Sequence, residues 1–181
     1  MSRKICCLTT CLAMIGLAGM IFAQPPGMPQ PSPEHGYFKK MVGTWDCTMK
    51  MGPQESKATA RYRMIGGFWL VGNFNGDIQG MKFEGHETMG WDPKKKKYVG
   101  TWMDSMSPYG MNMESELDSS KKTMTATGDA MNMEGKMAKF KMVSEWKNDD
   151  EMTMTMYEEK GGKMEQQFSI DYKRRAGGEA K

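Results

Sequence analysis

The chain has 181 residues, 23 of them methionine, with 25 Lys and Arg against 22 Asp and Glu for a net charge of +3. That near-balance excludes a strongly basic nucleic-acid binder and a strongly acidic solubilising tail. Two histidines leave little for a His-rich zinc site or an imidazole relay.

Arg3 and Lys4 precede a mostly apolar or small segment, residues 5–22, and Ala23 is followed by a proline-rich stretch. This is the pattern of a secretory signal peptide over residues 1–23, and it predicts a mature protein exported to the periplasm or the extracellular space. An uncleaved N-terminal anchor is the alternative. Cys6, Cys7 and Cys11 would leave with the signal, and Cys47 would remain as a small buried hydrophobe. Pro25, Pro26, Pro29, Pro31 and Pro33 make residues 24–33 a polyproline-like leader.

Residues 34–42 are a short helix candidate in which Tyr37, Phe38 and Met41 share one stripe and Gly43 ends the run. A helix so short must lie against something larger. From Thr44 the period becomes two. Trp45, Cys47, Met49 and Met51 alternate with polar neighbours, and so do Ala58, Ala60, Tyr62 and Met64. Phe68, Leu70, Gly72 and Phe74 follow on one face. Further candidates are 82–91, 97–103, 111–117, 122–128, 135–147, 151–158 and 163–173, which makes ten strands. Turn chemistry separates them at Gly66 and Gly67 and at 75–80, 92–97, 118–122, 148–150 and 160–162. No stretch reads as a crossover helix. Ten antiparallel strands on short turns predict an all-β, up-and-down barrel over residues 34–174, closed so that no edge is exposed. Residues 175–181 are then a flexible tail.

Methionine follows the strand period, in Met49/Met51, Met111/Met113, Met131/Met133 and Met152/Met154/Met156. With Trp45, Phe68, Phe74, Trp91, Trp102, Phe140 and Trp146 these residues are expected to line the interior. The plainest reading is that methionine fills a core poor in Leu, Ile and Val. A second is an adaptable cavity for a small apolar ligand, and a third is a Cu(I) site, since thioethers are soft ligands. The expected ligand-binding set is Trp45, Trp91, Trp102, Met113, Met154 and Glu87.

Within residues 83–91 the alternation turns His86 outward and Glu87 inward. A buried carboxyl needs a partner, so a register irregularity that returns Glu87 to the surface is the simpler expectation, with an inward ligand anchor as the alternative. No metal-ligand spacing or phosphate loop accompanies these residues, and the 104–107 stretch lacks the glycines of a nucleophile elbow. No catalytic residue, metal or cofactor is therefore assigned, and no enzymatic activity is expected. Lys94, Lys95, Lys96 and Lys97 read as a solvated hairpin tip, with an envelope surface as a weaker partner.

Gly43-Thr44-Trp45 at the opening of the first strand is similar to the Gly-x-Trp start of the lipocalins. Gly66-Gly67-Phe68-Trp69-Leu70, Phe83-Glu84-Gly85-His86-Glu87, Gly90-Trp91-Asp92 and the run from Tyr98 to Ser105 together resemble an uncharacterised family of bacterial exported domains, over residues 34–174. The resemblance implies a lipocalin-like barrel without an assigned activity. Many members have Tyr where this chain has Trp91, and this chain is richer in Met. His86, Asp104 and Ser105 fall in the shared blocks and form an expected rim beside Glu87 and Trp102, unless they fix hairpin geometry. The expected function is an exported, non-enzymatic barrel, monomeric or a small homo-oligomer, that holds a small apolar ligand. The alternatives are a Met-rich copper(I)-binding or redox-protective envelope protein, and a structural or interaction module with a filled core.

Overall fold

Alternation of apolar and polar residues, interrupted by glycine turns, produces ten strands in a computed structural model that describes residues 27–78, 80–132 and 134–177. The expected signal at 1–23 and Met133 lie outside those residues. The strands are β1 (Gly43–Met51), β2 (Gln54–Ile65), β3 (Trp69–Ile78), β4 (Met81–Asp92), β5 (Lys97–Asp104), β6 (Met111–Leu117), β7 (Thr123–Met131), β8 (Met137–Asn148), β9 (Glu151–Lys160) and β10 (Lys163–Arg174). Each pairs antiparallel with its sequence neighbours, and β10 returns to β1 to close the barrel. Every strand expected from the two-residue period is present, so the fold is the closed all-β meander that the pattern predicts.

Two departures have local causes. Phe68, expected on the inner face of the third strand, lies in the turn before β3, with its ring edge-on to His35 at 5.5 Å. Gly66 and Gly67 take positive φ there (58° and 77°), a backbone that L side chains resist, and the turn runs one residue past them. Met131, expected inward, alternates with Ala130, which packs on the interior cluster of Met111, Met113 and Phe140. Met131 is thus on the opposite face, at the end of β7.

A 3-10 turn (Pro33–His35) leads into α1 (Gly36–Met41), which buries Tyr37, Phe38 and Met41. The helix is anchored where β1 begins and β8 and β10 end. Trp45 Nε1 donates to the Met41 carbonyl at 2.8 Å, Trp146 Nε1 to the Tyr37 hydroxyl at 3.2 Å, and the Tyr98 hydroxyl to the Glu34 carbonyl at 3.0 Å. Arg174 donates to the carbonyls of Lys40 and Val42 at 2.6 and 2.7 Å, placing a cation on the unsatisfied C-terminal end of α1. Its guanidinium also lies 4.1 Å from the centre of the Trp45 ring. Beyond β10, the Arg175 N–H donates to the Thr44 carbonyl at 2.9 Å, so the first residue of the expected tail extends the ladder.

The buried side chains form one large cluster under α1 and through the barrel, and a smaller one of Met111, Met113 and Phe140. On the outer wall Asp171 accepts from Lys50 at 2.8 Å and from Thr153 at 2.7 Å, and these bonds hold its carboxyl down at about 2.

Candidate ligand-binding lumen

Strand β4 turns Phe83, Gly85, Glu87, Met89 and Trp91 to one face. Glu87 pairs in register with Gly72 of β3 and Trp102 of β5, and neither ladder is interrupted. The two register shifts found lie elsewhere, in β8 and β10. The expected bulge at Glu87 is therefore corrected: the carboxyl points into the barrel.

Glycine makes room for what surrounds it. Tyr62 of β2 pairs with Gly72, and a Cβ on Gly72 would stand 2.3 Å from the Tyr62 ring. The ring lies over the glycine, and the Tyr62 hydroxyl favours the ionised form of the Glu87 carboxyl. Tyr172 of β10 couples electrostatically to Tyr62 in turn. On the other side, a Cβ on Gly85 would stand 2.3 Å from the Trp102 ring, which stacks on Phe83 at 6.3 Å and 18°. A row of residues thus crosses the wall, from Tyr62 over Gly72 to Glu87 and Trp102.

Burial pushes the Glu87 carboxyl up to about 7, and the Tyr62 hydroxyl works in the opposite direction. Among the described residues no basic side chain contributes to it. Arg61 and Arg63, which flank Tyr62, are exposed on the outer wall. Burial raises Tyr62 and Tyr172 well above the usual tyrosine range and the Cys47 thiol to about 12. These groups stay neutral near pH 7. Cys47 behaves as the inert hydrophobe its composition suggests.

Glu87, Trp91, Trp102, Ser144, Met154 and Met156 are inward by register yet only half-buried. In a closed barrel the surface they retain lies on the inner side of the wall. Two grooves of about 770 and 720 Å³ lie on the outer wall, and neither is lined by Glu87.

The expected site residues separate into three places. Glu87, Trp102, Trp91 and Met154 face the lumen, and Trp91 stands edge-on to Tyr98 at 5.0 Å. Trp45 is 1% exposed and holds α1, and Met113 is buried in the smaller cluster. His86 faces outward, where its Nδ1 donates to Asn73 Oδ1 at 2.8 Å. Asp104 accepts from Trp102 Nε1 at 2.8 Å and from the Met106 N–H at 2.9 Å. Ser105 N–H donates to the Glu84 carbonyl at 2.9 Å, and its hydroxyl accepts from the Glu84 N–H at 3.1 Å. Asp104 and Ser105 therefore fix the end of the β4–β5 pair. Sequence reasoning missed Tyr62, Tyr172 and Tyr37 as site groups, although the inward parity of Tyr62 with Ala58, Ala60 and Met64 was a usable signal. Among the described residues no group of three or more His, Cys, Asp or Glu converges on a metal position, and the buried methionines divide between the two clusters.

Because the folded carboxyl titrates near 7 rather than the ordinary 4.5, the native state binds its proton more tightly than the unfolded chain. The contribution of Glu87 to stability is complete below about pH 4.5 and is lost as pH rises through 7. Glu87→Gln removes that loss, and should be more stable than wild type at pH 8 by on the order of 3 kcal/mol. The two should converge near pH 4, as read by urea unfolding across that range.

Fold and interior together define a closed ten-stranded antiparallel barrel whose inner face carries Glu87 among half-buried Trp and Met side chains. The chain belongs to the family described as a protein of unknown function, DUF1579, whose model matches residues 30–174. No curated protein matches the sequence. Among solved structures it is similar to Rv2717c of M. tuberculosis, at 8% identity and a TM-score of 0.56 over 81% of this chain and 99% of that one. It is also similar to a de novo fluorescence-activating barrel, at 14% identity and a TM-score of 0.44 over 76% and 95% of the two chains. A redesigned barrel, mFAP1 with DFHBI bound, is 13% identical with a TM-score of 0.44 over 76% and 98%. The likeness to Rv2717c is one of fold.

Proposed function

We propose that the protein is an exported, non-enzymatic carrier that holds one small, largely apolar molecule in its lumen. The observation that supports this is the free interior surface kept by Trp91, Trp102, Met154 and Met156 around Glu87. A filled structural barrel would bury such side chains completely, because protein interiors close-pack. Methionine suits a site of this kind, since its unbranched thioether chain repacks around differing shapes. Hydrogen bonding by Tyr62 and the carboxyl orients a ligand that is otherwise held by dispersion and burial.

Native mass spectrometry of the protein taken from its own source tests the reading. A single organic mass released on denaturation is expected. Protein that is bare, and that also takes up no added aromatic hydrocarbon, would contradict it and leave a filled structural module. The same sample tests export. Its mature N-terminus is expected at Gln24, and a chain that begins at Met1 would contradict the signal.

A further inference from the structure

We infer that the lumen is built for an organic cation, an amphiphilic ammonium whose apolar body lies on the methionine and aromatic wall and whose charged head meets Glu87. This rests on the reading of the lumen as a binding site and names the class of its ligand.

Glu158 offers an internal contrast. It also turns inward and is buried, but its Oε2 lies 3.3 Å from Lys160 Nζ and its Oε1 accepts from Asn132 Nδ2 at 2.8 Å. Among the described residues no such cation acts on Glu87, and the Tyr62 hydroxyl is the one side-chain group that favours its ionised form, whereas an ionised carboxylate has about four acceptor positions. A buried carboxylate without a counter-charge is costly, so the ligand that supplies the charge is favoured over a neutral one of the same shape. An anion would meet a carboxyl with no Lys or Arg among the described residues to offset it.

The surroundings suit a cation in a second way. Trp102 is the ladder partner of Glu87 and is half-buried on the inner face, and aromatic faces attract ammonium groups. Among the described residues the titratable groups around Glu87 are Tyr62 on β2, Tyr172 on β10, Cys47 on β1 and Tyr37 on α1, and Asp104 on β5 lies further along the same face, bonded to Trp102 Nε1. Burial holds the tyrosines and the thiol neutral well above pH 8. Between pH 5 and 8 the change in charge is therefore that of Glu87.

Two isosteric probes separate charge from shape: benzyltrimethylammonium, which does not titrate, and neopentylbenzene, its neutral carbon counterpart. Both are titrated into the intact protein by calorimetry and tryptophan quenching. With the carboxyl at about 7, ammonium affinity should fall about 90-fold from pH 8 to pH 5, while that of the hydrocarbon does not fall. Glu87→Gln should weaken the ammonium at least tenfold at pH 8 and should not weaken the hydrocarbon. If the hydrocarbon binds but the ammonium does not, or binds without pH dependence or equally well to Glu87→Gln, the cation inference is overturned and the lumen reading stands. If neither probe binds, the lumen reading fails and the inference fails with it. Should Glu87→Gln not fold, the wild-type pH series decides alone.

Discussion

Replacing Trp45 with alanine is expected to lower the unfolding free energy by about 4 kcal/mol, the upper range for removing a buried tryptophan. The side chain is 1% exposed, and its loss opens a void at the end of the barrel that α1 covers. The void is only part of the effect. Trp45 Nε1 satisfies the Met41 carbonyl, its ring supports the Arg174 guanidinium, and it packs edge-on against Trp146 at 5.8 Å. Arg174 itself closes the last turn of α1 through two carbonyls. One residue thus joins helix, first strand and last strand. Trp45→Phe keeps most of the burial but leaves the carbonyl without its donor, so it should cost about 1–3 kcal/mol. Urea unfolding of the two variants measures both, and a cost under 1 kcal/mol for alanine would show that α1 is held by other contacts.

Gly72→Ala is expected to be the next most disruptive change, at about 2 kcal/mol, within the usual range for overpacking a core. The added Cβ would stand 2.3 Å from Tyr62 Cε1 and 2.7 Å from Cδ1, so the ring must swing away. Its hydroxyl then leaves Glu87. The Tyr62 hydroxyl lowers the carboxyl titration, so the variant should titrate above wild type as well as unfold more easily. Gly36→Ala is the control, because a Cβ there meets nothing within 4 Å and the backbone is helical at φ −60°. It should be neutral or slightly stabilising. A Gly72→Ala protein with unchanged stability and titration would contradict the placement of Tyr62.

The strands were readable because each carries its own evidence in a local window of alternating residues, and turn glycines mark where one ends. Met111–Leu117 is bounded as the pattern predicts. Closure was readable as an argument about edges, although the β1–β10 pairing that accomplishes it joins residues more than 100 apart in sequence. The site was legible only by parity. Alternation put Glu87 inside, but the general cost of burying a carboxyl favoured a bulge. What decides the matter lies on other strands: the missing side chain at Gly72 and the Tyr62 ring that occupies its space. Trp45 was likewise correctly inward, yet its task depends on Arg174, at the far end of the chain. Met131 failed for the opposite reason, since the two-residue offset alone does not fix a residue's face near a strand end. His86, Asp104 and Ser105 sit in recognisable motif blocks because they fix backbone geometry, and motif blocks alone do not separate that role from ligand contact.

The most direct test of the interior carboxyl is its own titration. With glutamate labelled at the side-chain carbon, and the Glu87 signal assigned by its disappearance in Glu87→Gln, an NMR titration follows this group alone. A midpoint near 7 is the expected result. A midpoint in the ordinary range around 4.5 would place Glu87 in contact with bulk water, and would contradict both the lumen site and the ligand class drawn from it.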